Sequence, residues 1–116
     1  MYKFPIVELV DRYCIAKIKF EKLGDNKLEL DFYADQLQEF DFDLIESDLN
    51  ELTDLHRQVW DMEDDFKKFV VEKKYSLEEV GRRAIAVRDI LNGRYIIKNR
   101  IAEKLNDPVR ETKRYG

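Results

Sequence analysis

Glu8 and Asp11 stand three residues apart, and Asp61, Glu63, Asp64 and Asp65 place four carboxylates within five positions. On a helix, acids spaced by three or four share a face and can hold Mg²⁺ or Mn²⁺ between them. Glu8, Asp11, Asp61 and Asp64 are therefore the candidate metal ligands. One cysteine and one histidine exclude a zinc site of the Cys/His class. Cys14 and His56 could in principle form a nucleophile–base pair, but both read more simply as core-facing residues. The chain carries no P-loop and no dinucleotide fingerprint.

A second set of residues stands out by position. At about 100° per residue, Lys17 falls beside Val10 and Cys14 on an apolar face. His56 and Glu63 fall within about 60° of Val59. Arg94 and Lys98 lie between Leu91 and Ile101 if the helix there is continuous. Unpaired buried charge is costly, so these five side chains should meet one another or a ligand. One reading is a salt network in which Glu63 accepts from Lys17, Arg94 or Lys98. The other is an anion pocket, because three basic groups against one carboxylate leave positive charge over. Trp60 flanks the core stripe and reads as a packing residue.

These residues must be positioned by long helices. Gly24 and Gly81 bracket a stretch with neither glycine nor proline, whereas sheets need frequent turn residues. The pattern predicts a first helix from about Pro5 to Leu23, ended by Gly24-Asp25-Asn26. A second should run from about Lys27 to Glu39. A loop or kink at 40–43 would then offer Asp43 as the next N-cap. The third helix, over 44–73, has Ile45, Leu49, Leu52, Leu55, Val59, Met62, Phe66, Phe69 and Val70 at near-heptad spacing. Lys73 and Lys74 would favour its C-terminal dipole. Ser76-Leu77-Glu78-Glu79 is a capping box opening a fourth helix. Its face stays in register through Asn92-Gly93 to about Asn106, which favours one helix, bent there, with Asp107-Pro108 as the stop. Residues 109–116 carry no helical pattern.

Bulk properties narrow the class. The 116 residues and 14.0 kDa suit one domain, 1–116. Charged residues make up 40%, which suits solvated helices. Residues 25–65 set 15 acids against Lys27 and Arg57, while residues 66–116 set 14 bases against 7 acids. Either the two regions neutralise each other by packing, or one presents a surface of single sign. The acidic half would repel phosphates, which argues against nucleic acid. No apolar run approaches the roughly 18 residues of a membrane span. With a single thiol and no apolar leader, a cytoplasmic setting is expected.

Several segments, in order, resemble a family of small helical bacterial and phage proteins of unknown function. Glu8-Leu9-Val10-Asp11-Arg12-Tyr13-Cys14-Ile15-Ala16-Lys17-Ile18-Lys19 is similar to that family's opening, "E-L-hydrophobic-D-K-x-[ST]-I-L-x-I-K". Val59-Trp60-Asp61-Met62-Glu63-Asp64-Asp65 is similar to its central "L-W-D-I-E-D-D", the most specific segment. Asn92-Gly93-Arg94-Tyr95-Ile96-Ile97-Lys98-Asn99-Arg100-Ile101-Ala102 and Arg110-Glu111-Thr112-Lys113-Arg114-Tyr115 resemble its two C-terminal motifs. The chain departs from the pattern at Cys14 (Ser or Thr), Gly93 (Asp) and Arg114 (Ser). A family site using those hydroxyls or that carboxylate would be weakened here. The resemblance implies a helical fold, a phage or bacterial cytoplasm (often beside genes for cell-surface polysaccharide), and no reaction.

The expectation is thus an all-α, elongated bundle of four to five helices with long antiparallel helical hairpins. It should be a homodimer, because the stripe of the third helix exceeds what short partners cover, with a protein partner possible. The leading function is a non-enzymatic interaction or accessory protein without a cofactor. The alternative is a Mg²⁺-dependent nucleotide or sugar-phosphate protein built on the inward charges, as helical pyrophosphatases are built on paired acids.

Overall fold

The computed structural model describes residues 5–71 and 76–106. Five helices follow in order: α1 (Ile6–Leu23), α2 (Lys27–Leu37), α3 (Phe42–Val71), α4 (Leu77–Asn92) and α5 (Arg94–Lys104). Among the described residues there is no strand. The molecule is an all-α bundle, elongated at 48 × 35 × 28 Å.

Local chemistry sets the helix ends. Gly24 adopts φ 70°, a left-handed conformation natural to glycine, and its N–H closes on the Phe20 carbonyl at 2.8 Å. Ser76 caps α4 by accepting from the Glu79 N–H at 3.1 Å, so the capping box forms as expected. The cap expected at Asp43 lies two residues earlier. Asp41 accepts from the Asp43 N–H at 3.0 Å and α3 begins at Phe42. The second helix also stops short of Glu39, at Leu37, where the Phe40 N–H turns back to the Leu37 carbonyl at 3.1 Å. Lys73 and Lys74, the Asp107-Pro108 stop and the 110–115 motif lie outside the described residues.

The single bent helix expected after Ser76 is split in two. Gly93 itself is helical, with φ -66° and ψ -19°, but its N–H bonds the Ile90 carbonyl at 3.0 Å, three residues back. One tightened turn therefore joins two helices that otherwise form a single rod.

α3 is the spine. Cys14 reaches the Leu49 carbonyl, Glu21 pairs with Arg57, and Lys22 pairs with Asp61, so α1 runs parallel to α3. Lys104 and Arg100 meet Asp48 at one end, and Ala84 and Val87 share a groove with Phe66 near the other. The α4–α5 rod is therefore antiparallel to α3. α2 folds back on α1. The core gathers Val10 and Cys14 of α1, Leu37 of α2, Leu49 and Leu52 of α3, and Ile97 and Ile101 of α5. It sits where α1, α3 and α5 meet. Beyond it, α3 and α4 continue as a two-helix hairpin, and α4 buries no side chain at all.

The charge asymmetry of the sequence resolves as pairing between helices. Arg100 bridges Asp48 and Glu51 at 3.0 and 2.9 Å, Lys104 meets Asp48 at 2.7 Å, and Lys22 meets Asp61 at 2.8 Å. The basic C-terminal helix thus lies against the acidic first half of α3.

Candidate functional site: a buried charge cluster on Asp11

Asp11 points from α1 into the seam between α3 and α5 and is 6% exposed. His56 arrives from α3, and its Nε2 lies 2.7 Å from Asp11 Oδ1. An ionised carboxylate can only accept, so His56 Nε2–H donates. From α5, Lys98 Nζ stands 3.8 Å and Arg94 Nη1 3.9 Å from Asp11 Oδ2. Arg94 and Lys98 are four residues apart, so one helix face delivers both. Lys98 also stands 4.0 Å from Glu8, which Arg12 holds at 3.0 Å.

Burial by itself would raise the Asp11 pKa. The hydrogen bond from His56 and the charges of Lys98, His56 and Arg94 outweigh it and hold the carboxyl below the usual aspartate range. Arg12, Arg94 and Lys98 thus gather around the carboxylates of Glu8 and Asp11.

His56, Arg94 and Lys98 come together as expected from the sequence. Lys17 and Glu63 do not join them. Lys17 is exposed because it lies at the edge of the buried arc of α1, where a long basic stem reaches water. Glu63 is exposed too and is not the central acceptor. That role belongs to Asp11, which its spacing had suggested as a metal ligand.

The four candidate metal ligands separate into two places. Glu8 and Asp11 face the cations of α5, Asp61 pairs with Lys22, and Asp64 pairs with Lys68 at 3.1 Å. Among the described residues, no group of three or more His, Cys, Asp or Glu could hold a metal ion.

Cys14 and His56 make no catalytic pair. His56 Nε2 is committed to Asp11, and the Cys14 thiol points to the Leu49 carbonyl at 3.9 Å. Burial pushes that thiol up to about 11, against a hydrogen bond with Thr53 that lowers it. A buried, protonated thiol is a poor nucleophile.

Two features escaped sequence reasoning. Asp48 is a second buried acid, 2% exposed, clamped by Arg100 and Lys104. Its place between Ile45 and Leu49 on the apolar stripe was the signal. A cavity of about 330 Å³ also opens beside the Asp11 cluster. His56 and Arg94 line it, together with Trp60 and Glu63. Arg94 additionally lies 5.9 Å from the centre of the Tyr95 ring. Comparison of the chain with protein-family models, with curated proteins and with solved structures found no match.

Proposed function

We propose that the chain is a non-enzymatic interaction or accessory protein that works as a homodimer. The observation that carries this reading is α4. It buries none of its own side chains, and it turns Leu77, Gly81 and Ile85 outward on one face, with Leu77 86% and Ile85 52% exposed. A methyl group added at Gly81 would meet nothing within 4 Å. That open stripe on a two-helix hairpin is what a second hairpin covers in a four-helix bundle. The buried free thiol of Cys14 fits a reducing, cytoplasmic setting. Mg²⁺-dependent nucleotide or sugar-phosphate chemistry has less support, since the acids it needs stand apart and are matched by lysines.

Light scattering at micromolar concentration tests the proposal. A dimeric mass that falls to a monomeric one in Ile85→Glu, with the helical circular dichroism unchanged, is the expected result. A monomeric wild-type protein at these concentrations would overturn it.

A further inference from the structure

Pairing with α5 matches the acidic first half of α3, but α2 stands outside that exchange. Residues 25–43 hold seven acids and one base, Lys27. Among the described residues, the ion pairs of α2 are Lys27 with Asp31 at 3.4 Å and Glu29 with Lys19 at 4.0 Å. Both pairs are solvent-exposed, where such contacts are weak and readily exchanged.

α2 folds back on α1 through one stripe. Leu37 is fully buried, and Leu30, Tyr33 and Ala34 are half-buried. At about 100° per residue, Leu28 and Phe32 fall roughly 180° and 140° from Leu37. The inward stripe is complete without them, and they stand 88% and 54% exposed. A single exposed leucine is ordinary. Here two large apolar side chains share one face, a turn apart. The Phe32 ring meets that of Tyr33 edge-on at 5.5 Å, which widens the apolar surface. Asp31 and Asp35 are exposed on the same outward half of the helix.

We propose that this face of α2 docks a basic amphipathic helix of a partner protein; the inference rests on the interaction role proposed above, though not on the dimer. Leu28 and Phe32 would seat among the partner's apolar residues, and Asp31 and Asp35 would pair with the lysines or arginines that flank them. Charge sets the sign of the occupant. An acidic surface repels nucleic-acid phosphates and anionic lipid headgroups and attracts a basic chain. The fold sets its shape. Among the described residues no strand offers an edge to an extended peptide, whereas an i, i+4 apolar ridge fits the groove on the surface of a second helix.

The probe is a fluorophore-labelled peptide of leucine and lysine, patterned as an amphipathic helix of about 18 residues, or roughly five turns. It is titrated with the full chain and read by fluorescence anisotropy. One control peptide replaces lysine by glutamate, and the other replaces leucine by serine. The leucine–lysine peptide should bind saturably, and each control should bind at least about tenfold more weakly. Leu28→Ser/Phe32→Ser and Asp31→Asn/Asp35→Asn change exposed side chains, so helical circular dichroism should be unchanged. Each double variant should weaken binding at least about tenfold, while Ile85→Glu on α4 should leave it intact. No saturable binding, equal binding of either control peptide, or full binding in either double variant would each overturn the proposal. Saturable binding to phosphatidylserine vesicles that Leu28→Ser/Phe32→Ser loses would also overturn it, by making the face a membrane surface. A monomeric protein that binds the peptide through α2 would refute the dimer and leave this proposal standing, and a dimer that does not bind it would refute this proposal alone.

Discussion

Replacing Asp11 by asparagine keeps the shape of the side chain and removes its charge. At 3.8 and 3.9 Å, each attraction to Lys98 and Arg94 is worth about 4 kcal/mol at an effective dielectric constant of 20. Desolvation offsets much of this in the intact cluster. Deletion of one partner is different, because Lys98, only 4% exposed, stays buried without its Asp11 contact and keeps Glu8 at 4.0 Å. Losing one member of a buried pair costs about 3–5 kcal/mol. The remaining Glu8 places this case near the lower end, about 3 kcal/mol, or a fall in Tm of roughly 10–20 °C for a domain near this size. Urea unfolding followed by circular dichroism at pH 7 measures it. The double variant Asp11→Asn/Lys98→Met removes the buried lysine charge as well and should recover at least half of the loss. The pH dependence has a fixed sign. A carboxyl whose folded pKa is depressed contributes fully above its unfolded value, near 4, and the contribution fades as pH falls through the folded value. The gap between wild type and Asp11→Asn should therefore close as pH falls below 4. A loss under about 1 kcal/mol at pH 7, or no recovery in the double variant, would refute the account of Asp11 as the hub.

Three further outcomes follow from local features. With its thiol pushed up to about 11 and fully buried, Cys14 should react with a disulfide reagent at pH 8 only after unfolding; prompt reaction of the native protein would contradict this burial. Ser76→Ala removes the acceptor of the Glu79 N–H and should lower stability by about 1 kcal/mol in thermal unfolding. Gly81→Ala introduces a side chain into open space on a helix and should raise the stability of the monomer by about 0.5–1 kcal/mol. If α4 faces a second copy there, the same change should weaken the dimer.

The helical class and the main helix boundaries were legible because periodicity, capping chemistry and the placing of glycine agree. The Ser76 box and Gly24 are local devices whose geometry the chain specifies by itself. The cap of the third helix was displaced because aspartates at 41 and 43 are equally good caps by type, and it is Asp41 that accepts from the Asp43 N–H. His56, Arg94 and Lys98 were found because charges on an apolar face must be satisfied. Their acceptor was misassigned because periodicity locates a residue on its own helix and says nothing about which helix faces it. Asp11 and Glu63 were both suitable carboxylates by pattern, and only the parallel run of α1 along α3 brings Asp11 to His56. The cavity could not be read at all, since it is space left among four helices rather than a property of any residue.

The unequal lengths of the helices grade the molecule's resistance to opening. Near Asp48 and Leu52, α3 is flanked by α1 and α5, and its amide protons should exchange only through global unfolding. Beyond Glu63, among the described residues, it is the α4 half of the rod that accompanies it, and α4 buries none of its side chains. Few buried apolar contacts mean a small free energy of local opening. Amide exchange along α3 should therefore accelerate from its first half toward residues 62–71, in step with residues 77–87. A single helix thus spans two cooperative units, and a second copy or other partner seated on α4 would be felt as slowed exchange at that end alone.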